Sequence, residues 1–308
     1  MKILVFGSLN IDRTYTVDHF VRKGETMTAD RMELFRGGKG FNQAVALARA
    51  GVPVAMAGAV GSDGAFLLDP LRAEGVDISH IKVTEGSSGH AVIMVDKSGA
   101  NSIIILAGAN GTITEEDADE VLKDYGEGDW IVLQNEISSL DYILNAAHGK
   151  GMRVVLNPSP FNETVAACDF TCVDYLIVNE VEAAAVGGLA ADASFDEILM
   201  AVRERYPQLN ILMTLGHRGS VLLEKDGERI ECGIYRTDAV DTTAAGDCFT
   251  GYFLAGLFRG ESADKALKTA AVASGISVSR MGASPSIPHR REVEKAGIET
   301  VPDRYERD

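Results

Sequence analysis

The segment DTTAAGD, which ends at Asp247, places a carboxylate beyond a run of small residues. Ala244, Ala245 and Gly246 lead into a helical pattern, and the unpaired backbone amides at the start of a helix form a positive pocket. Such a pocket suits the negative charge that develops in phosphoryl transfer, and Asp247 at its mouth could accept a proton from an attacking hydroxyl. The simpler alternative is that Asp241 or Asp247 only caps the helix.

A second segment, GGKGFNQA, places Gly37, Gly38 and Gly40 around Lys39 and begins a helical pattern near Asn42. Glycines let a backbone approach a ligand closely, and free amides at a helix start can bind oxygen atoms. The alternative is a tight turn with Lys39 in solvent. The segment is not a P-loop, and no G-x-G-x-x-G follows the first strand, which weakens the case for a dinucleotide-binding protein.

Asn179 and Glu182, in VNEVEA, follow an apolar run and open another helical pattern. Their N-x-x-E spacing is that of a capping box, with Asn179 as the N-cap, and spacing alone favours this interpretation. The functional alternative is that the pair organises a magnesium ion and its waters near nucleotide phosphates.

Two further candidates follow apolar runs. Glu136, at the end of WIVLQNE, could bond a substrate hydroxyl or interact with the start of the next helix. In TLGHRG, which begins at Thr214, glycines frame His217 and Arg218. This segment is either a nucleotide loop or an ordinary turn, and His217 by itself is better explained as a surface residue.

Short apolar runs predict the strands that would carry these side chains. Apolar, often β-branched residues without polar alternation are typical of strands buried on both faces of a parallel sheet. The runs are ILVFGSLN (3–10), WIVLQNE (130–136), RVVLNPSP (153–160), YLIVNE (175–180) and ILMTLG (211–216). Helical patterns between them cover 42–51, 140–151 and 195–206. This alternation predicts a doubly wound α/β domain.

The predicted architecture also locates the site. Ligands of open α/β sheets bind beyond the carboxyl ends of the parallel strands. We therefore expect the site among the polar residues at these ends, which are Asn10, Asp12, Glu136, Asn157 and Asn179.

Two segments depart from the alternation. Residues 12–36 mix polar and apolar positions, which indicates half-exposed strands, and 89–106 has the pattern of a hairpin turning at DKSGAN. Together they predict a small antiparallel sheet that either covers the strand ends as a lid or extends the main sheet. A second hairpin should turn at Asp226-Gly227. We expect one domain over 1–308, because no Pro/Gly-rich linker divides the chain.

Composition excludes several classes of protein. The 308 residues include 29 Lys and Arg against 45 Asp and Glu, and a formal net charge of −16 opposes binding to nucleic acid or an anionic membrane. No uncharged run approaches the ~18 apolar residues of a membrane span. The apolar start meets Asp12 too soon for a secretory signal. The four cysteines favour reduced thiols in a cytoplasmic protein, and the tail ETVPDRYERD is expected to be solvated.

Taken in order, these motifs resemble the ribokinase-like (PfkB) family of carbohydrate kinases, and its ribokinase branch most closely. The resemblance covers essentially the whole chain, through GSLNID, GGKGFNQA, GAN, NP, VNEVEA, TLGHRG, DTTAAGD and RMGASPSIP. It implies a three-layer α/β/α sandwich with a mostly parallel central sheet and a small antiparallel β lid. It also implies the use of ATP and Mg²⁺, activation by a monovalent cation, usually K⁺, and a homodimer formed through the lid.

The resemblance further implies roles for individual residues. Asp247 would be the catalytic base, Ala244, Ala245 and Gly246 would form the anion hole, and Glu182 would support Mg²⁺ through water. Sugar hydroxyls would be held by Asn10, Asp12, Gly38, Lys39, Asn42 and Glu136. The ATP site would be lined by Asn179, Thr214, Gly216, His217, Arg218 and Gly219. The cation loop would use Asp241, Thr243, Ser277, Arg280, Gly282 and Ser286.

The implied activity is ATP-dependent phosphorylation of a primary hydroxyl of a pentose, with ribose first. Fructose, a 2-keto-3-deoxy sugar acid or a nucleoside as acceptor, or a non-catalytic sugar- or nucleotide-binding regulator, remain alternatives. Two positions depart from the family pattern. Phe41 stands where ribokinases typically have alanine, which we expect to bear on the sugar, and Ala271 where some have a histidine near adenine, which should alter base stacking.

Overall fold

The computed structural model describes residues 1–190 and 192–306, which form thirteen strands and ten α-helices. The strands are β1 (Ile3–Phe6), β2 (Asn10–Thr16), β3 (Arg31–Gly37), β4 (Ala55–Val60), β5 (Asp77–Val83), β6 (Gly89–Val95), β7 (Asn101–Leu106), β8 (Trp130–Gln134), β9 (Arg153–Asn157), β10 (Tyr175–Asn179), β11 (Asn210–Thr214), β12 (Ser220–Leu223) and β13 (Arg229–Cys232). The helices are α1 (Lys39–Arg49), α2 (Ala65–Ala73), α3 (Glu115–Leu122), α4 (Leu140–Gly149), α5 (Glu163–Ala166), α6 (Glu180–Gly187), α7 (Phe195–Arg205), α8 (Ala245–Phe258), α9 (Ala263–Val278) and α10 (Arg290–Ala296).

Nine strands form the main sheet, in the order β13-β12-β11-β10-β9-β8-β1-β4-β5. Neighbouring strands from β11 to β5 run parallel, whereas β12 and β13 pair antiparallel at one edge. The central strands are almost completely buried, as the apolar runs without polar alternation predict. The hairpin predicted at Asp226-Gly227 is confirmed, because it joins β12 to β13.

Helices cover both faces of the main sheet. On one face, α1, α8 and α9 bury Leu47, Phe253 and Leu267 against the sheet. On the other face, α4 and α7 bury Ile143 and Ile198. The predicted three-layer α/β/α arrangement is confirmed. Helix α8 contacts both α1 and α9. Its first turn is bound on one side by Gln43 of α1, which donates to Asp247, and on the other by Ser274 of α9, which donates to the Ala245 carbonyl.

The smaller sheet has the strand order β3-β2-β6-β7 and comes from the two segments predicted to depart from the alternation. The pairs β2–β3 and β6–β7 are antiparallel, and β2–β6 is parallel. Its strands are only partly buried. The outer strand β7 is the most exposed and presents four consecutive apolar side chains, Ile103, Ile104, Ile105 and Leu106.

Three sequence-based expectations need correction. Helix α1 begins at Lys39, three residues before the expected start near Asn42. Strand β1 ends at Phe6, so Asn10 and Asp12 lie on strand β2 of the smaller sheet and not at the end of a main-sheet strand.

The third correction concerns the charged tail, which is not simply solvated. Val301 and Tyr305 are buried, and the Tyr305 ring packs edge-on against Phe195 with the ring centroids 5.0 Å apart. The tail is therefore attached to the domain through these two apolar side chains, while its charged residues up to Glu306 stay exposed.

All four cysteines are buried free thiols. Among the described residues, no helix combines the length and the apolar character required to cross a membrane.

Candidate active site

Asp247 lies in the first turn of α8 and is 6% exposed. Its Oδ2 accepts a hydrogen bond from Asn42 Nδ2 at 3.0 Å, and its Oδ1 accepts one from Gln43 Nε2 at 2.9 Å. The N-cap of α8 is Ala244, which makes no side-chain cap. The capping alternative for Asp247 is therefore wrong, and two amide donors from α1 hold its carboxylate instead.

The backbone in front of Asp247 is open. Ala244 has a left-handed conformation with φ 58°, which turns the chain sharply into α8. Gly246 is exposed, and a Cβ atom added there would meet no other atom within 4 Å. The start of α8 therefore offers free space beside its first amides, as an anion pocket requires.

Two clefts meet at the start of α8. The first has a volume of 360 Å³ and is mostly apolar, and the second has a volume of 240 Å³ and contains Lys39, Glu182 and Asp247. Both are lined by Thr214, Thr242, Ala245 and Gly246. The first is also lined by Gly216, His217, Gly219, Tyr235, Phe249, Ala271 and Gly275.

The two clefts differ in the chemistry they can hold. The first suits a flat, largely apolar group such as a nucleobase, and the second suits polar groups. A group that crosses between them passes the start of α8.

Lys39 is half-buried and does not extend freely into solvent. Its backbone N–H donates to Glu136 Oε2 at 2.9 Å, and the Ser8 hydroxyl donates to the same oxygen. Burial by itself lowers the pKa of the Lys39 ammonium, but the negative charges of Asp247, Glu136 and Glu182 outweigh burial and raise this pKa. Lys39 is therefore a fixed positive charge among three carboxylates.

The smaller sheet brings Asp12 near Glu136 and the Asn10 backbone beside Gly38, although neither Asn10 nor Asp12 lines the two clefts. Burial, and then the charge of Glu136, raise the pKa of Asp12 to about 6. Asn10 Oδ1 accepts from Asn110 Nδ2 at 2.8 Å, and Asn110 belongs to the GAN motif. A side chain at position 37 would clash with the Asp12 carboxylate, because a Cβ on Gly37 would lie 2.1 Å from Asp12 Oδ2. The absence of a side chain at Gly37 therefore leaves room for the Asp12 carboxylate of β2 beside the backbone of β3.

Asn179 and Glu182 form the capping box that their spacing favours. Asn179 Oδ1 accepts from Glu182 N at 2.9 Å, and Glu182 Oε2 accepts from Asn179 N at 3.1 Å. Both residues also line the second cleft. The capping role of this pair is therefore confirmed. Glu182 Oε1 is not used in the capping box and stays available for a metal ion or its waters.

The TLGHRG segment follows β11 as a short 3₁₀ turn over Gly216–Arg218. His217 is exposed, in keeping with a surface residue, and lines the first cleft together with Gly216 and Gly219. Arg218 forms an ion pair with Glu180 at the start of α6.

The tail holds this turn from the other side. The Glu306 N–H donates to the Arg218 carbonyl at 2.8 Å, and the Gly233 N–H donates to the Pro302 carbonyl at 2.8 Å. Gly233 lines the first cleft. The tail therefore supports two segments that line the first cleft, the turn at 216–219 and the chain at Gly233.

The proposed cation residues come together in space. Asp241 Oδ1 accepts from the Thr243 backbone and hydroxyl at 2.9 and 2.6 Å, and Asp241 Oδ2 accepts from Gly282 N at 2.8 Å. The hydroxyls of Ser277 and Ser286 are buried and lie 2.7 Å apart. Arg280 lies further along the same segment and pairs with Glu292.

Sequence reasoning missed the buried amides behind Asp247, namely Gln43 and Gln134. The signal for Gln43 was the glutamine of GGKGFNQA, next to Asn42. Phe41 is completely buried in the apolar core and lines neither cleft. Ala271 lines the first cleft.

The model of the pfkB family carbohydrate kinases matches residues 1–290. This chain belongs to that family. It is 35% identical over 296 residues to a ribokinase of Haemophilus influenzae, covering 94% of this chain and 96% of the relative. It is 33% identical over 296 residues to a deoxyribokinase of Salmonella typhimurium, with the same coverage of both chains. A solved structure of Arabidopsis thaliana ribokinase complexed with ribose and ATP superposes with a TM-score of 0.85 at 30% identity, covering 96% of this pfkB-family chain and 98% of the other.

Proposed function

We propose that this pfkB-family enzyme transfers the γ-phosphoryl group of ATP to a primary hydroxyl of a pentose, with ribose as the substrate. The observation that carries the proposal is the position of Asp247, a buried carboxylate at the junction of a mostly apolar cleft and a polar one. A base at this junction can deprotonate an alcohol in one cleft while a phosphoryl group approaches from the other. The similarity to enzymes named ribokinase supports the choice of sugar.

In this mechanism the protein mainly aligns groups and neutralises charge. Asn10, Asp12, Gly38, Asn42 and Glu136 hold the sugar hydroxyls. Asn42 Oδ1 is a buried acceptor without a hydrogen-bond partner, and a sugar hydroxyl would satisfy it.

Charge on the transferring group is balanced from two sides. Lys39 places its ammonium among three carboxylates beside the second cleft. Ala244, Ala245 and Gly246 supply the amides of the anion hole at the start of α8. The nucleotide occupies the first cleft, against Thr214, Gly216, His217 and Gly219, with Asn179 on the phosphate side. Arg218 lies on the same turn, where its guanidinium pairs with Glu180.

Two cations fit the oxygen-rich surroundings. Glu182 faces the second cleft with one carboxylate oxygen outside its capping box, which suits an Mg²⁺ held through water. Bound Mg²⁺ would neutralise phosphate charge during transfer.

In the loop of Asp241, Thr243, Ser277, Arg280, Gly282 and Ser286, backbone donors occupy both Asp241 oxygens. Asp241 would therefore shape the loop, and its main-chain carbonyls would bind K⁺.

We further propose that two copies pair through their lids in the cytoplasm. Strand β7 is the outer strand of the smaller sheet and leaves Ile103, Ile104, Ile105 and Leu106 each more than half exposed. Such a contiguous apolar edge is typical of a protein interface. Sedimentation should give a dimer for the native chain and a monomer for Ile104→Glu. A monomeric native chain would reject this part of the proposal.

A coupled assay of ADP release tests the activity, using ribose, 2-deoxyribose, fructose, a 2-keto-3-deoxy sugar acid and a nucleoside, each with and without K⁺. We expect the highest kcat/KM for ribose and stimulation by K⁺. Asp247→Asn should lower kcat by about 10²–10⁴-fold with nearly unchanged sugar affinity, since the base is removed while the other residues proposed to bind the sugar remain. Near-native turnover in a folded Asp247→Asn protein would overturn the assignment of the base, and sugar binding without ADP release would indicate a regulator.

A further inference from the structure

Gln43 lies directly behind the proposed base and is completely buried. Its Nε2 donates to Asp247 Oδ1 at 2.9 Å and also lies 3.3 Å from Asn157 Oδ1. Gln43 follows Asn42 on α1, so adjacent residues of one helix bind the two oxygens of the same carboxylate. The Asp247 carboxylate is thus fixed in the plane set by these two amides.

The orientation of the Gln43 amide is itself determined by a second glutamine. Gln134 Nε2 donates to Gln43 Oε1 at 2.7 Å, and Gln134 is also completely buried. A glutamine amide can be inverted without changing its shape. Inversion of Gln43 would turn its oxygen towards Asp247 and its NH₂ group towards the NH₂ group of Gln134, so the inverted state loses both hydrogen bonds.

The backbone of Gln134 belongs to the main sheet. Gln134 ends β8 and is the direct partner of Asn157, which ends β9. Asn157 Nδ2 donates to the Ile177 carbonyl on β10 at 2.9 Å. A Cβ atom on Gly7 would lie 2.0 Å from Gln134 Oε1, so only glycine at position 7 leaves room for this side chain. The ends of three adjacent strands therefore place these residues side by side, while Gln134 Oε1 is a buried acceptor without a hydrogen-bond partner.

We propose that Gln43 and Gln134 are positioning residues for the base, in a relay from Gln134 through Gln43 to Asp247. This inference rests on the proposed function of Asp247. The relay fixes the orientation of the Asp247 carboxylate and leaves its free lone pairs directed at the sugar hydroxyl, while the hydrogen bond from Gln134 favours the observed orientation of the Gln43 amide.

Other charged groups also act on Asp247 and stay in place when the relay is broken. Lys39 on α1 faces Asp247, and Glu136 and Glu182 face Lys39. The Cys248 thiol follows Asp247 on α8, and the Asp247 charge raises its pKa further, after burial. Because these groups are common to the native protein and its variants, a difference between them in kcat or in the orientation of the Asp247 carboxylate reports the relay.

The test compares Gln43→Met and Gln134→Met with the native protein. Methionine keeps the approximate volume and removes the amide. Gln43→Met should lower kcat about 10–100-fold and change both KM values less than about threefold, because alignment in the transition state is lost. Gln134→Met should act in the same direction with a smaller loss.

A second readout does not depend on activity. Crystal structures should show the Asp247 carboxylate rotated out of its native plane in Gln43→Met, because one of its two amide donors is lost. Asn210→Leu is the control, since Asn210 is a buried amide at the start of β11 with its own partners, Asp174 and Lys225. It should change stability but neither kcat nor the orientation of the Asp247 carboxylate.

The outcomes separate the relay from the proposed function. If the native protein phosphorylates none of the acceptors, the proposed function fails, and the orientation of the Asp247 carboxylate still tests the relay. An unchanged carboxylate orientation in both methionine variants overturns the relay, as does a loss confined to KM. Should Gln43→Met fail to fold, Gln134→Met carries the same test with Gln43 in place.

Discussion

Asp12 and Glu136 are two carboxylates from different sheets that lie close enough for the charge of Glu136 to raise the pKa of Asp12. Burial makes the larger contribution, and together they bring this pKa to about 6. Asp12 lies on strand β2 of the smaller sheet, whereas Glu136 follows β8 of the main sheet. The approach of the lid to the main domain therefore brings like charges together.

This relationship predicts how stability depends on pH. The pKa of Asp12 rises from 3.8 to about 6 on folding, so the folded state binds more protons between these values. Stability must then fall as pH rises through this window, by about 3 kcal/mol from this group. Compared with the native protein, Asp12→Asn should be similarly stable at pH 4 and more stable at pH 7 in urea denaturation.

The same variant should bind sugar less tightly, because an amide oxygen accepts hydroxyl hydrogen bonds less strongly than a carboxylate. Asp30→Asn is the control, since Asp30 is an exposed residue just before β3. A stability difference between Asp12→Asn and the native protein that stays constant from pH 4 to pH 7 would contradict this account.

Gly40 sets the distance between α1 and the end of β1. A Cβ atom there would lie 2.6 Å from the backbone of both Gly7 and Ser8. Gly40→Ala should destabilise the protein by about 1–3 kcal/mol, because the backbone must shift to admit the methyl group. Lys39 and Asn42, which lie within two residues of Gly40, would shift with the backbone, so kcat/KM should also fall. Gly126→Ala is the matched control, because its Cβ would meet nothing within 4 Å. Equal stabilities of the two variants would reject the close-approach explanation.

Ala271 on α9 provides a way to block the first cleft selectively. Its small side chain lines this cleft but not the second one. Ala271→Phe should weaken ATP binding more than about tenfold by filling the space, while sugar binding is retained. Calorimetry with each ligand measures the two effects separately. Lys265→Phe, at a half-exposed position on the same helix, should change neither affinity. Undiminished ATP binding by Ala271→Phe would show that the nucleotide lies elsewhere.

Tyr305 holds the tail against the nucleotide side of the molecule. Besides packing on Phe195, its hydroxyl accepts from Arg229 Nη2 at 3.2 Å. Tyr305→Ala should destabilise the protein by about 3 kcal/mol and raise the KM for ATP more than that for sugar, because the Glu306–Arg218 contact is loosened. Tyr305→Phe keeps the ring and should behave nearly as the native protein. Equal changes in both KM values would argue for a general loss of packing.

Local patterns predicted much of this molecule. Buried apolar runs identified the parallel strands, and the N-x-x-E spacing identified a capping box that the hydrogen bonds of Asn179 and Glu182 confirm. The contact between Gln43 and Asp247 joins residues 204 positions apart, so it depends on how α1 and α8 pack and no local pattern contains it. The docking of the tail was missed for a related reason, because its charges suggested solvent while Tyr305 found a partner elsewhere in the chain.

Thr214, Thr242, Ala245 and Gly246 belong to the walls of both clefts. A single synthetic compound that joins an adenosine-like end to a pentose-like end could therefore occupy both chambers with only a short connector across the first turn of α8. Because the second end would bind intramolecularly once the first is seated, such a bisubstrate inhibitor should exceed the affinity of either fragment alone. The length of connector that gives the tightest binding would serve as a molecular ruler for the path of the phosphoryl group.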